Sequence, residues 1–186
     1  DYRVNDPVYN SHGFLIHDYF FAKTLDKLRA GGVAAYITTK GTMDKESTKV
    51  REFLFKKAEL LGAIRLPNTA FKNAGTKVTA DILFLQKREK EIENPEWIAV
   101  TEDAQGFRIN SYFVQHPEMI LGTMQEISGP YGMETTCVEK EGVPLGERLR
   151  AAISHITGHI PERVEEERAE FRYTGRKKGR YHSVPD

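Results

Sequence analysis

The sequence contains a single cysteine, Cys137, so no intramolecular disulfide can form, and a reducing compartment, the cytoplasm, is the expected setting. No apolar run approaches the roughly 20 residues that a bilayer span requires, which leaves no membrane role. A secretory leader is missing, and so is an initiator methionine. The chain starts Asp1-Tyr2-Arg3, which gives the expectation of a piece cut, naturally or by design, from something longer. Charge of one sign is also missing. The 27 Lys and Arg residues balance the 27 Asp and Glu residues, so no global field draws the chain to nucleic acid. Any DNA contact must come from a local patch or from residues elsewhere in the polypeptide.

The common ligand motifs are absent as well. There is no G-x-G-x-x-G and no P-loop. Gly31-Gly32 precedes an apolar run instead of following one, so it reads as a helix stop and not as a nucleotide turn. His155 and His159 stand four apart, but Ile156 occupies the place where the zinc-protease pattern has Glu. Gly158 and Pro161 also interrupt the helix, so no metal site is expected. Cys137 has no basic neighbour in sequence and reads as an inert thiol. With 39% hydrophobic and 29% charged residues, the composition is that of a folded globular chain, not a disordered one.

The patterning predicts alternating elements. Residues 14–29 read as a helix, with Phe14, Phe21, Leu25 and Leu28 at helical spacing and Ser11 as a candidate cap. The run VAAYITT at 33–39 reads as a strand buried on both faces, because it does not alternate. A polar loop, 40–46, precedes a second predicted helix at 47–61. Its apolar stripe is Val50, Phe53, Leu54, Ala58 and Leu61. Strands are predicted at 63–66 and 78–86, with an edge strand at 97–100 and a turn at 103–106. The patterning weakens after Phe107. Gly129, Pro130 and Gly132 mark a turn, and 145–156 reads as an amphipathic helix facing inward through Leu145, Leu149, Ala152, Ile153 and Ile156. An acidic run at 162–170 and a basic one at 172–180 read as a solvated tail. The expected class is a layered α/β fold.

Residues 63–88, AIRLPNTAFKNAGTKVTADILFLQKR, carry the richest local signal. A short strand ends in Leu66-Pro67, a polar loop presents one aromatic, Phe71, and a long apolar strand follows. Such an aromatic either stacks on a planar ligand or packs beneath its own loop. The strands are joined by only 11 residues without a helix. Parallel neighbours need a crossover of about a dozen or more, so this pair is expected to be antiparallel.

Three segments, HDYFFAKTLDKLRAGGVAAYITTKGTMD at 17–44, LGAIRLPNTAFKNAGTKVTADILFLQKR at 61–88 and NSYFVQHPEMILG at 110–122, resemble the C-terminal half of the catalytic domain of adenine-N6 DNA methyltransferases. The likeness is to type I modification subunits, and more so to the methylase modules of helicase-methylase proteins from phages and conjugative elements. The resemblance implies a partial Rossmann-like sheet, its last strands forming an antiparallel end pair flanked by helices, plus a C-terminal extension. Residues 1–101 would be the methylase half, 102–160 an extension packing on or following it, and 161–186 a charged tail.

The resemblance also implies S-adenosylmethionine as cofactor and double-stranded DNA as partner, through the intact enzyme. The family's Asn-Pro-Pro-aromatic tetrapeptide and its glycine-rich cofactor motif do not occur in this sequence. No residue here matches a catalytic one, so the chain alone is expected to be inactive and to need its N-terminal half, with a helicase or specificity domain as a further partner. What would remain is a second wall of the base pocket. Phe71 matches the family aromatic that faces the flipped adenine. Lys40 and Thr42 follow the strand 33–39, at the end of a doubly wound sheet where ligands bind. Lys40, Asn68 and Lys72 either contact DNA phosphate or are simply solvated. The basic cluster Arg176, Lys177, Lys178 and Arg180 is open to the same two readings. An alternative to an enzyme fragment is a non-catalytic DNA-binding or scaffold module within a helicase-methylase polypeptide.

Overall fold

The computed structural model describes residues 7–11, 13–129 and 132–159. Its elements run α1 (Pro7–Asn10), α2 (Ile16–Lys27), β1 (Val33–Thr39), α3 (Gly41–Asp44), α4 (Lys49–Lys57), β2 (Ala58–Leu66) and β3 (Ala80–Lys87), with a 3-10 turn at Lys72–Ala74 before β3. There follow β4 (Val100–Glu102), β5 (Arg108–Asn110), α5 (Ser111–Gln115), a 3-10 turn at Pro117–Met119, β6 (Gly122–Gly129), β7 (Gly132–Glu139) and α6 (Leu145–Ser154). The class is mixed α/β.

The main sheet has the order β1-β3-β2, and β3 runs antiparallel to both neighbours. β1 and β2 are therefore parallel to each other, and the helix-free link from β2 to β3 makes the expected antiparallel pair. β4 pairs with β5, and β6 with β7, as two-stranded antiparallel ribbons. β2 and β3 hold the core: Ala63, Ile64, Leu83 and Leu85 are fully buried. They meet Leu25 of α2, Leu54 and Phe55 of α4, and Phe113 of α5. Ile109, Met119, Leu121 and Met124 join the same cluster, so the segments after residue 101 share its apolar interior.

Several boundaries differ from the expected ones, each for an identifiable reason. α2 begins at Ile16, not Phe14. The Asp18 carboxylate accepts the Leu15 N–H at 3.2 Å, so the cap comes from inside the first turn and not from Ser11. Phe14 is buried outside the helix, edge-on to Phe53. Leu28 turns extended, which ends the helix before Gly31 takes a φ of 73°. α4 stops at Lys57, although Ala58, Glu59, Leu60 and Leu61 are good helix formers. The ladder to β3 outweighs propensity there, because pairing satisfies the β3-facing backbone groups of a largely buried segment.

A register irregularity between Leu60 and Gly62 re-phases β2, and a Cβ on Gly62 would stand 2.8 Å from Ile156 Cγ1, so close packing excludes a side chain. β1 is not buried on both faces. Its burial alternates, and Val33 and Ile37 are 51% and 62% exposed, because no described element covers the face of β1 from which they project; its outer edge also has no strand partner among the described residues. The strand expected at 97–100 begins only at Val100, because Trp97 takes a φ of 63°. The 145–156 helix ends at Ser154. Ala152 is buried, Leu145, Leu149 and Ile156 reach the core, and Ile153 points out. The charged tail lies outside the described residues.

Candidate functional site

The C-terminal end of β1 and the start of β3 open onto a cleft of about 660 Å3. One wall is the stretch Thr39–Lys45, which includes α3, together with the start of α2 at Leu15–Asp18. The other wall comes from β6 and β7 through Ile127, Glu134, Thr135 and Thr136, with Asn68 and Lys77–Thr79 beside them.

Three of the five expected residues meet here. The Lys40 ammonium donates to Thr135 Oγ1 at 2.8 Å, and the Lys40 N–H donates to the Thr79 carbonyl at 3.1 Å. Thr42 is buried, its hydroxyl 2.7 Å from that of Thr38. Asn68 donates through its side chain to Thr136 Oγ1 at 3.1 Å, and through its backbone to the Cys137 carbonyl at 2.7 Å. The other two lie apart from this lining. Phe71 is half-buried against the core, and Lys72 is exposed at the start of the 3-10 turn. The Phe71 carbonyl accepts the Ala74 N–H at 2.9 Å, and Gly75 closes the turn with a φ of 78°.

Beneath the cleft is a buried charge network that the sequence reading did not foresee. Arg65 on β2 has no exposed surface. It donates through Nε and Nη2 to the two carboxylate oxygens of Asp81 on β3, both at 2.8 Å. Its Nη1 stands 2.8 Å from Asp44 Oδ2 in an ion contact that is not aligned as a hydrogen bond. The guanidinium lies 4.3 Å from the centroid of Phe113. Burial works against its charge, but Asp81 and Asp44 outweigh burial and raise its pKa above the ordinary value. Asp81 is desolvated, which pushes its carboxyl up against the pull of Arg65.

A second buried arginine, Arg51 of α4, donates to the carbonyls of Ile98 at 2.8 Å, Thr42 at 3.2 Å and Lys45 at 2.7 Å. Desolvation lowers its pKa, and the nearby carboxylates of Asp44, Glu46 and Glu52 oppose that shift. Asn110 completes the frame. Its side chain donates to the Met43 and Trp97 carbonyls, and its N–H donates to Asp44 Oδ1 at 3.0 Å. The signal that was available in sequence was a polar or charged residue inside an apolar run: Arg65 within AIRLP and Asp81 within TADILFL.

The β6–β7 ribbon was also missed, although its turn was read from Gly129 and Gly132. It docks through β7. Thr79 Oγ1 lies 3.0 Å from Thr136 Oγ1 and accepts the Cys137 N–H at 2.8 Å, which fixes the ribbon against the cleft. Burial pushes the Cys137 thiol up to about 11, consistent with an inert packing role. Among the described residues no group of His, Cys, Asp and Glu gathers as a metal site, and no helix is long and apolar enough to cross a membrane.

Over 75 residues the chain is 35% identical to "Defense against restriction protein B" of Escherichia phage P1, an overlap that covers 40% of this chain and 3% of that protein. No solved structure matches the chain. The N-6 DNA Methylase family matches residues 16–111, from the first residue of α2 to the first of α5, and so takes in the whole main sheet and the cleft-lining stretch Thr39–Lys45. The chain belongs to the N-6 DNA methylase family.

Proposed function

We propose that this chain is the substrate-side part of an S-adenosylmethionine-dependent DNA methyltransferase acting on adenine N6, and that by itself it transfers no methyl group. The observation that carries the reading is the family match over 16–111, which covers the main sheet and most of the cleft lining, leaving out Leu15 and the β6–β7 wall. The strand order supports it further. An antiparallel β3 between two mutually parallel strands, with an outer edge on β1 that no described strand pairs, suits the closing end of a larger Rossmann-like sheet. In this reading 1–101 is the methylase body, 102–160 an extension that shares its core, and 161–186 a charged tail.

The described residues do not fit the methyl donor unaided. Four polar side chains at the cleft are engaged within the chain, Lys40 on Thr135, Thr42 on Thr38, Asn68 on Thr136 and Asp18 on the Leu15 N–H, and the glycine-rich donor motif does not occur in the sequence. Their part is to wall and orient. The cleft is to receive an adenine turned out of duplex DNA, with Lys40, Thr42 and Asn68 around the nucleotide, and with Phe71 and Lys72, which lie outside the lining, meeting the base and its phosphate from the neighbouring loop once the rest of the enzyme is in place. Held orientation is a large part of what such a wall contributes to rate. The cytoplasm is the compartment in which this activity would meet DNA, and a helicase or specificity module is the natural companion in the same polypeptide.

The test uses two samples. The intact polypeptide, incubated with duplex DNA and labelled S-adenosylmethionine, is expected to yield N6-methyladenine by mass spectrometry of digested DNA. The isolated 186-residue chain is expected to give no methylation and no calorimetric signal with the donor. Methyl transfer to cytosine by the intact protein, or saturable micromolar donor binding by the isolated chain, would overturn the reading.

A further inference from the structure

We infer that Arg51 and Arg65 are positioning residues that clamp the cleft wall Lys40–Lys45 from below, through backbone carbonyls and through Asp44. This inference rests on the reading of the cleft as the methylase's substrate site. The wall needs a clamp. α3 is only four residues long, and a helix that short has little stability of its own. Its internal bonds are few: the Met43 and Asp44 N–H groups both donate to the Lys40 carbonyl, and the Lys45 N–H donates to that of Gly41. Yet it sets the place of Lys40 and Thr42 at the cleft.

Each arginine grips a different part of it. Arg51 reaches up from α4 and takes the carbonyls of Thr42 and Lys45, while its Nε takes Ile98. Both carbonyls fall at the end of α3, where helix acceptors have no intrahelical donor. Arg65 reaches from β2 and holds the Asp44 carboxylate, with Asp81 fixing the guanidinium on its other side. Asn110 takes the remaining Asp44 oxygen and the Met43 carbonyl. Since Arg51 and Arg65 are 1% and 0% exposed, neither contacts ligand, and they act only through the wall. A rigid wall supplies orientation without reordering at the moment of reaction.

The test is amide hydrogen exchange on the full 186-residue chain, comparing wild type with Arg51→Lys and Asp44→Asn. Arg51→Lys keeps the charge but cannot span three carbonyls. Asp44→Asn leaves the Arg65–Asp81 pair in place and keeps an acceptor for Asn110, so it spares the core if Arg51→Lys fails to fold. In either variant the Met43, Asp44 and Lys45 amides are expected to exchange at least about tenfold faster, with the β2–β3 ladder amides at their wild-type rates. Wild-type exchange at α3, or equal acceleration of α3 and the ladder, overturns the clamp; the second result is what a merely structural role produces.

A second arm separates this inference from the function it rests on. In the intact methylase, Asp44→Asn is expected to lower turnover about tenfold while DNA affinity holds. Unchanged turnover with weakened DNA binding overturns the positioning role. An intact wild-type protein that transfers no methyl group overturns the site reading, and the exchange result then decides the clamp alone.

Discussion

Removing Arg65 tests the buried network most directly. Arg65→Met preserves length and apolar stem but withdraws the guanidinium from Asp81 and Asp44, which are then left as two carboxylates with side-chain exposures of 0% and 9%. Breaking a buried pair by removing one partner costs about 3–5 kcal/mol, because the remaining charge is desolvated and unpaired. The stacking on Phe113 adds roughly 1 kcal/mol. Domains of ordinary stability have about 5–15 kcal/mol to lose. With a urea slope of about 2 kcal/mol per molar, the midpoint should fall by about 2 M.

Trp97 is the only tryptophan. It lies edge-on to Tyr112 with centroids 5.4 Å apart, so its fluorescence reports the unfolding of the core beside the network. The reasoning makes a sharper claim about Arg65→Met/Asp81→Leu. Removing both partners leaves no orphaned charge on β3, so the double variant should be more stable than Arg65→Met alone. An Arg65→Met cost below about 1 kcal/mol, or a double variant whose cost equals the sum of the two singles, would refute the account.

Two further outcomes follow from the structure. Cys137 is buried with its thiol pushed up to about 11 from 9.0, so a disulfide reagent at pH 8 should react slowly in the native protein and at once in denaturant. Because the folded state holds the proton more tightly, this group's contribution to stability is fully present below about pH 9 and is lost as pH rises toward about 11; a urea midpoint that is flat across that window in wild type and Cys137→Ser alike would contradict it. On the proposed function, Phe71→Ala in the intact polypeptide should slow methyl transfer by roughly 5- to 150-fold, the equivalent of the 1–3 kcal/mol that base stacking supplies, and unchanged turnover with unchanged DNA affinity would reject the stacking role.

Much of the fold was legible along the chain, because local periodicity and punctuation carried it. The long strand at 80–87 stood out as an apolar run, and the short helix-free link before it dictated its antiparallel sense. The boundary at Lys57 was not legible, since Ala58–Leu61 favours helix in isolation and becomes strand only because β3 offers it a partner. Burial of β1 was likewise not readable, since VAAYITT looks the same whether one face of the strand is covered or both are.

The sequence by itself determined the family, the α/β alternation and the lack of an intramolecular disulfide, because motif order, hydrophobic period and residue counts are properties of the chain alone. The tertiary structure alone decided which polar residues meet. Lys40, Thr42 and Asn68 gather at one cleft with Thr135 and Thr136, which lie far along the chain, and Arg65 sits between Asp44 and Asp81. Such constellations join residues of large sequence separation, and they exist only because backbone pairing and core packing bring those segments together.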